Sequence, residues 1–339
     1  MGLEKRGDKS GRLTIERDIS HSGSEGNAVG QKTLNGRISC SGIALHSGSL
    51  VTMSLCPAEP DTGIVFVRTD LDGDGARILA RWDNVVCTRL CTTVGNSDGL
   101  RVATIEHLMA ALYGSGIDNA VVELNGPEVP IMDGSAAPFM FLVECAGTVE
   151  QNAPRRAIRI LKSISVSDGH GGRAKLMPDD KFLVDIEIDF NNAAVARQSL
   201  AMELVNGTFK KELSRARTFG FLHEVEKLRA AGLARGGSLD NAVVISGNQI
   251  LNEGGLRYGN EFVRHKALDA VGDLYLAGCP LIGAFQGFRS GHSTNNKVLR
   301  ALFSDPGAWC YDVLMPDHPV GGVAPFESFE TSLSTAVPA

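Results

Sequence analysis

The chain has 339 residues, of which 43% are hydrophobic and 21% charged, a balance typical of globular proteins that form one large domain or two ordinary ones. Its longest apolar runs, such as 280–285, are far too short to cross a bilayer, and a formal net charge of -6 disfavours nonspecific binding to nucleic acid. The seven cysteines are scattered and contain no Cys-x-x-Cys pair, so we expect free thiols, a reducing compartment and a cytoplasmic location.

The first thirty residues differ from the rest of the chain. Residues 1–30 are polar, rich in glycine and serine, and carry charges of both signs without an apolar core. This composition excludes a secretory signal, and the acidic residues argue against a mitochondrial transit peptide. We therefore predict a disordered extension over 1–30, and a flexible tail over 331–339.

The first half of the chain alternates strand and helix patterns. In order, we predict short strands over 33–67, a second stranded stretch over 78–94, a helix over 105–113 with Thr104 as its N-cap, a strand over 120–124 and a helix over 137–145. Residues 147–156 are polar and contain Pro154, which makes them the best candidate for a domain boundary.

Beyond this boundary the order of element types starts again. We predict strands over 158–166 and 182–190, a helix after 218–221, a strand over 243–245, a helix over 261–276, a strand over 281–285, a turn over 289–293 and a helix over 295–303. The helix that contains His107 and the helix that contains His265 each precede a strand. Two α+β units of like topology, placed face to face, would bring both histidines to one seam.

The helix predicted over 261–276 has a spacing that indicates a metal site. His265 and Asp269 are four residues apart and Asp273 follows after four more, so the three side chains share one helix face. Together with His107, the first two would supply two imidazoles and one carboxylate to a divalent metal, with a fourth position for a nucleophilic water.

Three further residues would complete a hydrolytic site. Glu106, beside a ligand, is a candidate general base, His292 a candidate acid, and Asp273 a carboxylate that keeps His292 charged. Each residue also has an ordinary alternative: a His–Asp pair four apart is a common helix contact, Glu106 would complement a helix dipole, and His292 would suit a glycine turn. Their joint occurrence favours a metal-dependent hydrolase.

Six ordered segments resemble a known family; they are 104–112, 130–136, 216–221, 238–242, 263–274 and 291–297. These segments are similar to the zinc-dependent deacetylases of UDP-3-O-acyl-N-acetylglucosamine, which act in lipid A synthesis in Gram-negative bacteria. The similarity extends over residues 31–326.

The resemblance assigns a role to each candidate residue. It implies that the metal is held by His107, His265 and Asp269, that Glu106 is the base, and that His292, paired with Asp273, is the acid. It also implies that Thr218 and Lys266 stabilise the oxyanion of the tetrahedral intermediate. The metal would be Zn²⁺, and Fe²⁺ suits the same nitrogen and oxygen donors.

For the substrate, the resemblance implies contacts from His46, Phe219, Lys266 and Arg289. The basic residue that the family carries in the loop 168–173 has no clean counterpart here, and Arg173 is the nearest candidate. The expected partner is therefore the small-molecule substrate, with no nucleic acid and no membrane span, and the protein is expected to be a monomer.

The implied fold is α+β, with two similar domains, 31–150 and 151–330, each of helices packed on a small sheet, and with the active site at the seam between them. Each family domain carries a small insert, which we map to 78–94 and, as a βαβ unit, to 218–245. Apolar residues of the second insert would wall a passage for the acyl chain; these are Phe219, Leu222, Leu228 and Leu233.

Two other functions are compatible with the residues. The same metal site would serve a zinc amidohydrolase that acts on another N-acyl sugar. A non-catalytic sugar-nucleotide-binding protein would be expected to lack Glu106 or His292, yet both are present.

Overall fold

The computed structural model describes residues 28–71, 76–205 and 207–316, which form two consecutive α+β units. The first unit consists of β1 (Gly30–Leu34), β2 (Ile38–Ile43), β3 (Leu50–Pro57), β4 (Ile64–Arg68), β5 (Arg77–Leu79), β6 (Val85–Cys87), β7 (Thr93–Gly95), β8 (Arg101–Val102), α1 (Glu106–Gly114), β9 (Ala120–Leu124), α2 (Ala137–Ala146) and β10 (Thr148–Pro154). A short 3-10 helix, Trp82–Asn84, precedes β6.

The second unit consists of β11 (Arg156–Ile160), β12 (Ile164–Ser167), β13 (Arg173–Met177), β14 (Phe182–Asp189), β15 (Arg197–Glu203), β16 (Phe219–Phe221), α3 (Leu222–Ala230), β17 (Val243–Ser246), β18 (Gln249–Ile250), α4 (Glu261–Tyr275), β19 (Leu281–Phe288), α5 (His292–Ser304) and β20 (Trp309–Val313). A single π-helical turn, Phe209–Leu213, follows β15.

The two units repeat the same topology. The main sheet of the first has the order β2-β3-β9-β4-β5, in which β9 is antiparallel to β3 and parallel to β4. In the second unit β12, β13, β19, β14 and β15 pair in the same order, with β19 antiparallel to β13 and parallel to β14. In both units one helix precedes and one follows the central strand. The predicted fold class, two similar α+β units, is confirmed.

The strands and helices follow from simple patterns of side-chain burial. Along β14 buried and partly exposed residues alternate, because successive side chains of a strand point to opposite faces of the sheet. In contrast, all nine residues of α1 are buried, as expected for a helix covered on every side. The main partner of α1 is α4, so the two central helices of the units pack against each other.

A glycine allows these two helices to approach closely. A Cβ atom added to Gly272 of α4 would lie 2.0 Å from the carbonyl oxygen of Glu106, at the start of α1. Because this oxygen belongs to the backbone, no side-chain rotation would relieve the overlap. The missing side chain therefore lets the first turn of α1, with His107, approach the face of α4 that carries His265.

Each unit also carries an insert, which lies before the helix that leads into its central strand, α1 in the first unit and α4 in the second. In the first unit β6, β7 and β8 form a small antiparallel sheet. In the second, β16 and β17 are parallel and are connected through α3, and β18 pairs with β17.

Two expectations about helix starts are wrong. Ile105, not Thr104, precedes the first residue of α1; Thr104 has a φ of 58°, and its hydroxyl donates to Glu128 Oε1 at 3.1 Å instead of capping the helix. The last helix begins at His292, three residues earlier than expected. Its first turn is closed by Thr294, whose hydroxyl accepts from the backbone N–H of Gly291 and donates to the carbonyl oxygen of Gly291, both at 2.9 Å.

Several predictions concern the ends of the units. Of the predicted extension, 1–27 lie outside the described residues, as does the tail over 331–339. Gly30, which was placed in the extension, begins β1 and pairs with Pro154 of β10. The domain limits themselves stay a prediction.

None of the helices in the described part of the chain has both the length and the apolar character that a bilayer crossing requires.

Candidate active site

The packing of α1 on α4 brings the three predicted metal ligands together. His107 Nε2 lies 3.4 Å and His265 Nε2 lies 3.3 Å from Asp269 Oδ1, and one ligand atom from each residue lies within 4.8 Å of the others. All three side chains are buried. The site therefore presents two imidazole nitrogens and one carboxylate oxygen to a single point, the donor set of many catalytic zinc sites.

The surroundings of this cluster fit a bound cation. Asp269 Oδ1 is buried and has no hydrogen-bond partner among the described residues, whereas Oδ2 accepts from Lys266 Nζ at 2.6 Å. A buried carboxylate oxygen without a partner is costly, and a metal ion would satisfy it. Burial alone would raise the pKa of Asp269, but its attraction to His265 and Lys266 holds that pKa well below the ordinary value, so the ligand is charged.

The tautomer of His265 also suits a metal ligand. Its Nδ1 lies 3.1 Å from the carbonyl oxygen of Ala216, which can only accept, so Nδ1 must donate and Nε2 keeps its lone pair. Burial lowers the pKa of His265 to about 4, which keeps the ring neutral at physiological pH. A neutral imidazole with a free Nε2 is the form that binds metals.

Beside the cluster, Glu106, His292 and Asp273 form an acid–base group. His292 Nδ1 donates to Asp273 Oδ2 at 2.8 Å, and His292 Nε2 lies 3.8 Å from Glu106 Oε1. Burial lowers the pKa of His292, but the carboxylates of Asp273 and Glu106 outweigh this and raise it to about 9. His292 is therefore an imidazolium at neutral pH. For Glu106, burial raises the pKa of the carboxyl above its ordinary value.

Comparison with known proteins agrees with this geometry. Residues 31–304 match the model of the LpxC family, described as UDP-3-O-acyl N-acetylglycosamine deacetylase. The chain belongs to this deacetylase family. The resemblance inferred from six sequence segments is thereby confirmed.

Three relatives named UDP-3-O-acyl-N-acetylglucosamine deacetylase illustrate how extensive the similarity is. The protein from Acidithiobacillus ferrooxidans is 53% identical over 83% of this chain and 92% of its own length. The protein from Phenylobacterium zucineum is 52% identical over 82% of this chain and 95% of its own length. The protein from Hahella chejuensis is 52% identical over 83% of this chain and 93% of its own length.

Two polar residues that the sequence did not single out bond to the acid–base group. Thr92 donates its backbone N–H to Glu106 Oε2 at 3.0 Å and its hydroxyl to Asp273 Oδ1 at 2.6 Å. Asn295 Nδ2 donates to Asp273 Oδ2 at 2.9 Å. Asn295 lies in one of the six family segments and could have been found there. Thr92 belongs to none of them, and only the tertiary structure places it in the site.

A buried ion pair holds the segment that contains Thr218. The guanidinium of Arg217 donates to both carboxylate oxygens of Glu261, at 2.9 and 3.1 Å, and the backbone N–H of Arg217 adds a third bond at 3.0 Å. Next to it, the backbone N–H of Thr218 donates to the carbonyl oxygen of Gly134, in the first unit, at 2.8 Å. These bonds fix both Thr218 and the Ala216 carbonyl that orients His265.

The polar residues predicted for catalysis, except Asp273, line one cavity together with the three candidate ligands. Part of its wall is apolar and is formed by Leu45, Leu90, Ile131, Phe190, Phe219 and Phe221. Leu222, Leu228 and Leu233 do not line this cavity, and their role in a passage for the acyl chain stays a prediction. Because side chains alternate along a strand, Phe219 and Phe221 share one face of β16, and this face rather than the leucines of the insert lines the cavity.

His46 and Arg289, predicted to contact the nucleotide, do not line this cavity. Both ring nitrogens of His46 are buried, with no hydrogen-bond partner in the ranges that the structure describes, and its backbone N–H donates to Glu128 Oε1 at 2.8 Å. Arg289 follows β19, and Arg173, whose guanidinium lies 5.0 Å from the ring centre of Phe288, begins the neighbouring β13. The two arginines thus lie at the same end of the sheet, and their role with substrate stays a prediction.

Proposed function

We propose that this protein hydrolyses the N-acetyl group of UDP-3-O-acyl-N-acetylglucosamine to acetate and UDP-3-O-acyl-glucosamine, the committed step of lipid A biosynthesis. The proposal depends chiefly on one observation, the convergence of His107, His265 and Asp269 beside Glu106 and His292 in one cavity. Membership of the deacetylase family identifies the class of substrate.

The proposed cofactor is Zn²⁺, held by His107, His265 and Asp269, and Fe²⁺ is compatible with the same donors. Such an ion, when bound, polarises the amide carbonyl and acidifies a water molecule. The neutral His265 and the charged Asp269 are already in the protonation states that ligation requires.

The protein side chains would divide the remaining work. Glu106 accepts a proton from the attacking water while the water oxygen bonds to the amide carbon. Thr218 and Lys266, both at the cavity, stabilise the negative charge on the carbonyl oxygen. His292 then gives its proton to the amine nitrogen as the C–N bond breaks, and Asp273, bonded to Nδ1, keeps His292 charged until that moment.

Further proposals concern the substrate contacts, the cellular location and the oligomeric state. The apolar wall that contains Phe219 would hold the acyl chain, and Lys266 would also contact the substrate, while His46 and Arg289 would face the nucleotide. The seven free cysteines support a cytoplasmic location. We also propose that the protein is a monomer, as the family resemblance implies.

The decisive experiment measures acetate release from UDP-3-O-(3-hydroxyacyl)-N-acetylglucosamine by purified, metal-quantified protein. We expect turnover by the wild type, and a fall of about 10²–10⁴-fold in kcat for Glu106→Ala and for His292→Ala, with bound metal retained. The matched control is Glu226→Ala, because Glu226 is exposed on α3 and lies outside the cavity lining.

Two results would contradict the proposal. A metal-loaded wild type that is inert across several acyl chain lengths would indicate another N-acyl substrate or a binding protein. Full activity in Glu106→Ala would show that this carboxylate is not the base.

A further inference from the structure

We infer that Thr92 is a positioning residue that fixes the orientation of Glu106 and, through Asp273, of His292. This inference depends on the proposed function. Thr92 is 1% exposed, and it lies just before β7, in the insert of the first unit. Thr92 does not line the cavity, so it would act through other residues and not by touching the substrate.

All three polar groups of Thr92 bond to the catalytic elements. Its backbone N–H donates to Glu106 Oε2 at 3.0 Å, its carbonyl oxygen accepts from the backbone N–H of Ile105 at 3.3 Å, and its hydroxyl donates to Asp273 Oδ1 at 2.6 Å. One residue therefore bridges the start of α1, in the first unit, and the last turn of α4, in the second.

The bond to Glu106 orients its carboxylate. Because Thr92 occupies Oε2, the other oxygen, Oε1, is the one that faces His292 Nε2, at 3.8 Å. The carboxylate is thus held with one oxygen restrained by the backbone and the other turned toward the side chain that donates the proton. A freely rotating carboxylate would spend less time in this orientation.

The bond to Asp273 restrains the acid in the same way. Asp273 Oδ2 accepts from His292 and Asn295, and Oδ1 accepts from the hydroxyl of Thr92. Without the hydroxyl, a buried carboxylate oxygen would lose this donor, and the carboxylate could rotate and loosen His292. Changes in such supporting bonds typically reduce activity by about 10–100-fold.

The test compares Thr92→Val, which keeps the shape of the side chain and removes the hydroxyl, with Thr92→Ser, which keeps the hydroxyl. The matched control is Thr93→Val, because Thr93 is the next residue and is also buried, but within the described ranges the hydrogen-bond contact of its hydroxyl is with Cys91 Sγ, at 3.8 Å. For each variant kcat, KM, bound metal and thermal unfolding would be measured on the deacetylation reaction.

For Thr92→Val we expect kcat to fall about 10–100-fold, while KM changes less than about twofold and bound metal is retained. Thr92→Ser and Thr93→Val should keep kcat within about threefold of wild type. A purely structural role for Thr92 would instead lower the unfolding temperature without a selective loss of kcat. Unchanged kcat in Thr92→Val, or an equal loss in Thr92→Ser, would overturn the inference.

A second measurement separates this inference from the proposed function. In metal-free protein, the Nδ1 proton of His292 can be followed by NMR and assigned by its absence in His292→Ala. We expect faster solvent exchange of this proton in Thr92→Val than in wild type or Thr93→Val. Equal exchange rates in all three proteins would contradict the inference, whereas an inert wild type with the expected exchange pattern would contradict only the function.

Discussion

Two histidines of the site show how local contacts assign opposite chemistry to the same side chain. Both start from an ordinary pKa of 6.5, and burial lowers both. His265 bonds to a neutral carbonyl, and its pKa is lowered to about 4, which suits a metal ligand. His292 bonds to the carboxylate of Asp273, and its pKa is raised to about 9, which suits a proton donor. Because burial lowers both pKa values, the surrounding charges make the difference: His265 faces Asp269 together with the positive Lys266, whereas His292 faces two carboxylates.

The ligand assignment makes a prediction about bound metal. His265→Ala and Asp269→Ala each remove one of three donors, so we expect the metal content of the purified protein to fall well below one ion per chain. His170→Ala is the control, because His170 is exposed in the loop before β13. Stoichiometric metal in both ligand variants, measured by elemental analysis, would show that the site lies elsewhere.

At the scale of elements, the crossing of α1 and α4 determines whether the site exists. The ligands come from both helices, and at Gly272 the backbone of α4 lies directly against the first turn of α1. A side chain at this position would separate the helices and move His107 away from Asp269.

We therefore expect Gly272→Ala to destabilise the protein by about 3 kcal/mol or more, because the added Cβ would lie 2.0 Å from a backbone oxygen that cannot rotate away. Urea denaturation monitored by circular dichroism would measure the loss. Gly254→Ala is the control, since nothing lies within 4 Å of a Cβ at that position. Equal stability of the two variants would mean that the helices can separate at little cost.

At the scale of the whole molecule, the candidate metal site joins the two repeated units. His107 belongs to the first unit, whereas His265 and Asp269 belong to the second. Other bonds cross the same seam, among them the Thr218 N–H to the Gly134 carbonyl, and Arg257 Nη1 to Asp133 Oδ2 at 2.8 Å. A bound ion would add to these contacts.

Removal of the metal should therefore weaken the whole fold as well as the activity. A ligand that binds only the folded state stabilises that state, so we expect a chelator to lower the unfolding temperature by about 1–2 °C per kcal/mol of binding free energy lost. Calorimetry with and without chelator would measure this shift, and added Zn²⁺ should reverse it. His265→Ala should respond little to the chelator; a wild type that responds no more than this variant would argue against a metal that bridges the units.

Much of this protein follows from its sequence, because the relevant signals are local. The pattern of apolar and polar residues predicts α4 to within one residue and β9 at its observed limits, and the spacing of His265, Asp269 and Asp273 places them on one helix face. The repeat of element order predicts the two units, and the strands of their main sheets do pair in the same order.

Other features required the tertiary structure, because they depend on contacts between residues distant in the chain. Thr104 has the chemistry of an N-cap, yet its hydroxyl bonds to Glu128, and Ile105 precedes the helix. Thr92 carries no motif, and its bond to Asp273 spans 181 residues. Local sequence determined which groups were available for the site, and the packing of α1 on α4 decided which of them meet, because side-chain contacts across a core depend on backbone distances that no local pattern encodes.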